Sequence, residues 1–248
     1  MATARRRPTA RSTAESIKQY IIDHALGPGD LMPTESELCE ALSVSRSSVR
    51  EAVRTLASLD IVEVRHGHGT YVGAMSLAPL VNGMVFRLSL DEERTQKSLV
   101  DVVRTRIALD LMLAEEVIEL HRGTHDRELH RLVQAMRERA EEGASFLEED
   151  KAFHARLLAG VDNAVLSELA GAFWEINTRA LPGLGLAPAE DISATVEAHE
   201  ALLSACESGD AEAYKLAVHA HYAPLQRSIR RRLEALGLGD TVGASQLV

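Results

Sequence analysis

The sequence predicts a mainly α-helical chain in two parts, a short helical module that ends in a small β-hairpin and a C-terminal antiparallel α-helical bundle. Three observations support this fold class. Apolar residues recur at helical spacing through most of the 248 residues. A glycine-containing stretch at 61–72 has the pattern of two short strands. Capping and turn signals divide the helical patterns into short segments.

The N-terminal module is predicted over residues 14–74. "AESIKQYIIDHAL" is an amphipathic helix, and "GPGD" ends it. "TESE" at 34–37 is a capping box that begins a second helix, and Ser45 begins a third. Strands at 61–65 and 70–72 follow. Three helices and a hairpin in this order are typical of a winged helix-turn-helix DNA-binding domain.

Charge favours the same part of the chain as the DNA-binding part. Residues 1–75 contain nine Lys or Arg and nine Asp or Glu, so the remaining residues carry 18 basic and 28 acidic side chains and the whole net charge of −10. If the protein binds a polyanion, we therefore expect residues 1–75 to bind it. The basic segment at 1–13 is expected to be a disordered arm.

The sequence offers no sign of a membrane or secreted protein. It contains no run of 18 apolar residues, and no apolar run follows the basic start as in a signal peptide. Cys39 and Cys206 lie within helical patterns and are expected to be small buried hydrophobes. We therefore expect a cytoplasmic protein.

The third helix has the residues that a recognition helix needs. The buried stripe of this helix leaves its N-terminal residues and Arg50 facing outward. Short hydroxyl side chains at this end allow the helix to approach a DNA duplex closely. Arginine suits guanine through two parallel donors. A solvated helix beside an unrelated hairpin is the alternative, and the adjacency of the hairpin favours DNA binding. The expected DNA-binding residues are Ser45, Arg46, Ser47, Ser48 and Arg50, with His66 and Gly67 in the wing.

The second part is predicted to be the bundle, over 98–236. A linker, alone or with one short helix, is expected at 75–97, a helix at 98–121 and another at about 125–141. The capping box "SFLE" begins the next helix, and Asn163 is a possible cap for the one after it. Two final helices at 192–207 and 211–236 are separated by "SGD", and 237–248 is expected to be a flexible tail.

Two polar residues lie on an otherwise apolar helix face in "FLEEDKAFHARLLAGVDN". Asp150 and His154 are one turn apart, and a carboxylate facing a core needs a partner or a metal. His199 and His221 also face inward, and a helical hairpin folded at "SGD" brings them level. Convergence of the four on a divalent metal is one reading, and four separately hydrogen-bonded core groups are the other. The spacing alone leaves both open.

One further residue is a candidate for binding a ligand. Arg106 shares the buried stripe of its helix, so either Asp110 or a ligand carboxylate has to neutralise it.

These motifs resemble a known family. "GPGDLMPTESELCEALSVSRSSVREAV", followed by "RHGHGTYV", resembles the N-terminal domain of GntR-family transcription regulators. Ser36 stands where many members carry a DNA-contacting arginine. Residues 98–236 resemble the metal-binding FCD domain of the FadR subfamily, which implies Asp150, His154, His199 and His221 as ligands. Ala198 replaces a frequent glutamate. The resemblance also implies effector binding by Arg106 and by Asn163, which matches a frequent Asn near the family's pocket, although a helix cap explains Asn163 equally well.

The resemblance implies a function. We expect a regulator, by default a repressor, that binds a pseudo-palindromic operator as a homodimer and responds to a small organic acid at a divalent ion. Zinc is the first expectation, with manganese or nickel as alternatives. A metal-dependent hydrolase and a regulator with a purely structural metal are the competing hypotheses.

Overall fold

The computed structural model describes residues 12–90, 92–180 and 192–235. Within these ranges the chain forms eleven α-helices and one two-stranded antiparallel sheet, which confirms the mainly α-helical fold class. Residues 1–11 of the arm expected at 1–13, and the expected tail at 237–248, lie outside the described residues. The first helix already begins at Thr13, so the sequence prediction places the end of the arm too far along the chain. The chain divides into two compact units, with the boundary between Pro79 and Leu80.

The N-terminal unit is a winged helix-turn-helix. Its apolar core joins the three helices and the hairpin through side chains such as Ile17, Leu38, Val49 and Leu56, each at most 1% exposed. Its elements are α1 (Thr13–Asp23), α2 (Glu35–Leu42), α3 (Arg46–Ser58), β1 (Val62–Arg65) and β2 (Gly69–Val72).

The helix caps that the sequence predicts are present. The Thr34 hydroxyl accepts from the Glu37 N–H at 3.3 Å, and the Glu37 carboxylate accepts from the Thr34 N–H at 2.8 Å. These bonds hold the pKa of Glu37 below its usual value. Ser45 caps α3 by accepting from the Ser48 N–H at 3.1 Å. The recognition helix therefore begins at a fixed residue.

The residue that follows β2 lies close to the backbone just after α3. β1 pairs with β2 in the register Val62 with Val72, and β2 begins at Gly69, one residue earlier than expected. A Cβ on Gly73 would lie 2.3 Å from the Asp60 carbonyl oxygen, so this position requires glycine. The glycine lets the second strand leave the sheet close to the end of α3.

The second unit contains the helices of the bundle, and α4 also includes the last two residues before the boundary. In chain order the elements are α4 (Ala78–Leu88), α5 (Glu92–Met112), α6 (Ala114–His121), α7 (Arg127–Glu141), α8 (Leu147–Leu157), α9 (Ala164–Ala180), α10 (Ile192–Ser208) and α11 (Ala211–Ala235).

The structure differs from the sequence prediction at two helix boundaries. The segment 75–97, expected as a linker, contains α4 and the start of α5, because Val81 and Leu88 give α4 a buried side. The helix expected at 98–121 is interrupted at Leu113.

The capping box predicted at 145–148 is absent. α8 begins after Phe146, which forms no side-chain cap and packs partly buried against the core. Three acidic residues in the first turn favour this helix end through the helix dipole instead.

The last two helices fold back on each other. Gly209 adopts a positive φ of 76° in the turn, and the Asp210 carboxylate accepts from the Ala213 N–H at 2.9 Å at the start of α11. α10 and α11 pack together, and α11 also packs on α5. Cys206 is buried in this core, where burial raises the pKa of its thiol to about 12.

The capping box gives a stability prediction. Replacing Thr34→Ala removes the hydroxyl acceptor at the start of α2, so we expect the N-terminal unit to lose about 1 kcal/mol of unfolding free energy. Chemical denaturation followed by circular dichroism measures this. Thr55→Ala is the matched control, because Thr55 is exposed within α3 and its hydroxyl donates to the Glu51 carbonyl without capping a helix. An equal loss in both variants would contradict the prediction.

Candidate functional site

Four inward polar side chains from three helices meet at one point in the bundle. Asp150 and His154 lie on α8, His199 on α10 and His221 on α11. One donor atom from each lies within 4.8 Å of the others. The side chain of His199 is fully buried, and those of Asp150 and His154 are each 15% exposed. The structure thus brings together the residues that the sequence proposed as one set.

The aspartate lies among the imidazoles. Its Oδ1 is 2.8 Å from His199 Nε2 and 3.7 Å from His154 Nε2. The ring centroid of His221 is 4.5 Å from that of His199 and 5.0 Å from that of His154. A single ion at the centre of this group would therefore reach all four side chains.

The bonding of the ring nitrogens favours a cation. His199 Nδ1 lies 2.8 Å from the Thr195 carbonyl oxygen, so this nitrogen carries the proton. The other nitrogen, Nε2, then presents a lone pair to Asp150 Oδ1, and two acceptors at this distance repel each other. Among the described residues, none of His154 Nε2, His199 Nε2 and His221 Nδ1 has a hydrogen-bond partner. These buried lone pairs fit a divalent metal ion.

The ionisation of the group also suits a metal. Burial lowers the pKa of His154 to about 3 and that of His221 well below its usual value. Burial by itself raises the pKa of Asp150, but positive charge on the neighbouring His199 outweighs it and holds this pKa well below the usual range, an effect that a metal ion would also have. At neutral pH His154 and His221 are therefore neutral and Asp150 is ionised, the forms that metals bind.

Trp174, which sequence reasoning missed, fixes the aspartate. Its indole N–H donates to Asp150 Oδ2 at 2.6 Å, and Trp174 is the only tryptophan of the chain. This bond satisfies one carboxylate oxygen and leaves Oδ1 for the imidazoles. No sequence signal indicated this role, since an indole on an apolar stripe is usually part of the core.

A cavity of about 270 Å³ borders the four-residue cluster. His154, Trp174 and Tyr222 line it on the side of the cluster, and Arg106 and Gly171 also line it. A Cβ added to Gly171 would meet nothing within 4 Å, so α9 leaves open space at this position.

Arg106 has no anionic partner in contact. It is 7% exposed, and its guanidinium carbon lies 4.9 Å from the centroid of the Tyr222 ring. Asp110 instead accepts from the Tyr222 hydroxyl at 2.6 Å, and burial raises the pKa of Asp110. In the part of the chain that the structure describes, no carboxylate lies within ion-pair distance of Arg106. Of the two partners considered from the sequence, Asp110 is therefore not in contact.

Asn163 lies outside this cavity. Its side-chain oxygen accepts from the Leu166 N–H at 3.2 Å at the start of α9, and the residue is exposed. The structure thus places Asn163 as a helix cap and does not bring it to Arg106. An effector role for Asn163 stays a prediction without a contact to support it.

The expected DNA-binding residues of the recognition helix lie together at the start of α3. The hydroxyl of Ser45 is 2.8 Å from those of Ser47 and Ser48. Arg46 is exposed and donates to the Ser36 hydroxyl at 3.3 Å, and Arg50 pairs with Glu35 at 2.8 Å across an exposed contact. Exposed pairs of this kind are weak and can be exchanged for phosphate or base contacts.

The wing presents its tip to solvent. His66 and Gly67 are both exposed in the turn between β1 and β2, and Gly67 has a positive φ of 79°. Arg65 stacks on the Tyr71 ring at 4.2 Å and pairs with Glu63 at 2.7 Å, so it supports the base of the wing.

A winged helix-turn-helix unit followed by a helical bundle defines a class, the two-domain DNA-binding regulators. The comparison with known families identifies the member. The family described as "Bacterial regulatory proteins, gntR family" matches residues 9–72, and the FCD domain matches residues 101–224. The chain belongs to the GntR family and carries a C-terminal FCD domain. It is a DNA-binding transcriptional regulator.

Relatives agree with this assignment over most of the chain. The galactonate operon transcriptional repressor of Escherichia coli K12 is 22% identical over 215 residues, which cover 87% of this chain and 94% of the repressor. The Glc operon transcriptional activator of the same strain is 35% identical over 97 residues, 39% of this chain and 38% of that protein. The structure of Streptococcus agalactiae GntR has a TM-score of 0.64 and 29% identity, covering 87% of this chain and 98% of that one.

These relatives are transcriptional regulators and not enzymes, so the hydrolase hypothesis is set aside. Within the described residues, no helix is long and apolar enough to cross a membrane.

The buried histidines predict how the metal-stripped protein responds to pH. Unfolded, His154 takes up a proton near pH 6.5, whereas in the folded state its pKa is about 3. Below pH 6.5 the unfolded state therefore binds more protons, and stability falls as the pH is lowered, by about 1.4 kcal/mol per pH unit for such a histidine.

We expect the unfolding free energy of the chelated protein, followed by Trp174 fluorescence, to decrease between pH 7 and pH 5. His154→Gln should reduce the slope, and His24→Gln, an exposed histidine, should leave it unchanged. A slope that is the same in all three proteins would contradict the assignment.

Proposed function

We propose that this regulator represses a metabolic operon and responds to a small organic acid. The acid binds in the cavity beside the four-residue cluster, with a divalent metal ion and Arg106 as its two cationic anchors. The observation that carries the proposal is Arg106, a buried guanidinium that lines the cavity without a carboxylate in contact. A buried cation of this kind is costly unless an anion joins it.

The chemistry of the donor set supports the metal. Asp150, His154, His199 and His221 would hold it, and three imidazoles with one carboxylate suit zinc first, with manganese and nickel as alternatives. When bound, the ion supplies positive charge and open coordination positions for a carboxylate. The chain itself contributes Arg106 for a second carboxylate or hydroxyl, and Tyr222 and Trp174 shape the apolar wall.

Repression is supported by the relative that spans most of the chain, and dimerisation by the few contacts that a single DNA-binding unit can make. The relative that spans most of the chain is a repressor of a galactonate operon, which suggests a sugar acid or related hydroxy acid as the effector. A single recognition helix and wing offers few contacts, so a homodimer on a pseudo-palindromic operator doubles them. Ser45, Arg46, Ser47, Ser48, Arg50, His66 and Gly67 would form each half-site contact.

The DNA assignment predicts a loss of specificity in Arg46→Ala. We expect discrimination between operator and random DNA to fall by about 1–3 kcal/mol, the usual value of a bidentate arginine–guanine contact. Arg54→Ala is the control of equal charge on the same helix, since Arg54 pairs loosely with Glu51 at 3.9 Å. Fluorescence anisotropy with both duplexes measures the ratio. An unchanged ratio in Arg46→Ala would exclude a base contact.

The effector assignment predicts that ligand binding needs both anchors. A panel of small carboxylates that includes galactonate is screened for stabilisation of the metal-loaded protein, with Trp174 fluorescence as a second readout. We expect the stabilising acid to raise the melting temperature of the wild type, and much less that of the chelated protein or of Arg106→Gln. Arg104→Gln, exposed on the same helix, is the matched control.

Two further variants separate the roles. His221→Ala should lose the bound metal, whereas Gly171→Leu should keep it and fill the cavity, so that the acid no longer stabilises the protein. Equal metal content in the wild type and His221→Ala would overturn the metal site. Stabilisation by the acid that survives chelation and Gly171→Leu would leave the metal as a purely structural element.

A further inference from the structure

A second cluster of metal-binding side chains lies at the surface of the FCD domain. His125 and His130 flank the start of α7, and Glu207 lies near the end of α10. One donor atom from each lies within 4.8 Å of the others. Eight residues separate His199 from Glu207 along α10, about 12 Å at 1.5 Å per residue, so one ion cannot serve both clusters.

The carboxylate of this cluster is held in place. Glu207 is 17% exposed, and its Oε1 accepts from the Asp126 N–H at 3.3 Å. Its backbone carbonyl accepts from the Gly123 N–H at 2.8 Å. The turn between α6 and α7 is therefore fastened to the end of α10 through both the side chain and the main chain of one residue, and the donor atoms do not depend on a mobile loop.

The two imidazoles converge on the same carboxylate. His130 Nε2 lies 2.9 Å from Oε1 and 3.1 Å from Oε2 of Glu207, and His125 Nδ1 lies 3.8 Å from Oε1. The ring centroids of the two histidines are 4.1 Å apart. A hydrogen bond explains only the closer ring, because 3.8 Å is too long for one. The nitrogen of His125 faces the carboxylate without bonding to it.

We propose that His125, His130 and Glu207 bind a second divalent transition-metal ion of the zinc type. Two imidazoles and one carboxylate are a known zinc donor set that leaves a position open. The His125 side chain is 67% exposed, so it can close on the ion, and solvent can fill the remaining position. The ion would link the α6–α7 turn to α10, the helix that also carries His199. This site is independent of the proposed effector site.

Stoichiometry tests the second site. The metal-stripped full-length protein is dialysed against zinc(II) and its metal content is measured. We expect two ions per chain in the wild type and one in each of His130→Gln and Glu207→Gln. In Glu207→Gln the amide oxygen can still accept from the Asp126 N–H, which preserves the turn. His219→Gln, exposed and outside both clusters, is the control and should keep two.

Variants of the buried site, alone and combined with a surface variant, distinguish the two metal sites. His221→Ala should retain one ion, and the double variant His130→Gln with His221→Ala should retain none. One ion in the wild type that both surface variants also keep would overturn the second site, as would two ions in every surface variant. If instead His221→Ala keeps both ions while the surface variants lose one, the buried site fails and the surface site stands.

Discussion

The structure of the FCD domain depends on how it accommodates one buried carboxylate. An ionised aspartate inside a bundle loses several kilocalories per mole of hydration, and this loss has to be offset by specific partners. One oxygen of Asp150 accepts from the Trp174 indole N–H. The other faces the imidazoles, and the nearest ring nitrogen, His199 Nε2, points its lone pair at this oxygen when the ring is neutral. Hydrogen bonds among the described residues leave three ring nitrogens of this cluster unpaired, and this is the observation that favours the proposed cation.

Apolar packing determines where the surrounding helices lie. The cluster forms because its four residues occupy matching positions along those helices. A spacing of one turn on α8 brings Asp150 and His154 to the same face, and the turn at Gly209 folds α10 against α11 so that His199 and His221 come level. α9 contributes Gly171 to the lining of the cavity, where a Cβ would meet nothing within 4 Å. In the proposed function the metal and the effector would therefore share a wall, and a ligand beside His154 would meet Arg106 in the same cavity.

The features that were predicted correctly from the sequence depend on helical periodicity and on contacts between near neighbours in the chain. The Thr34 capping box, the Ser45 cap and the helical hairpin at 208–210 are determined by neighbours in the chain, and the inward histidines follow from the helical stripe. The start of α8 was predicted wrongly, because a partly buried Phe146 takes the place that a capping serine was expected to hold. Trp174 and Glu207 were missed, since their roles come from contacts 24 and 77 residues apart in sequence.

An effector can change DNA affinity only if it binds one arrangement of the protein better than another. α9 is the helix suited to convey that preference, because it lines the cavity through Gly171 and Trp174. Near its end, Arg179 donates to the Asn82 side chain of α4 at 2.9 Å, and α4 begins where the DNA-binding unit ends. Both residues are exposed, so this bond contributes little to stability and can break or form at small cost. The buried apolar side of α4 also holds this helix, so in the proposed function the polar contact is the part of its packing that a bound ligand could change at small cost.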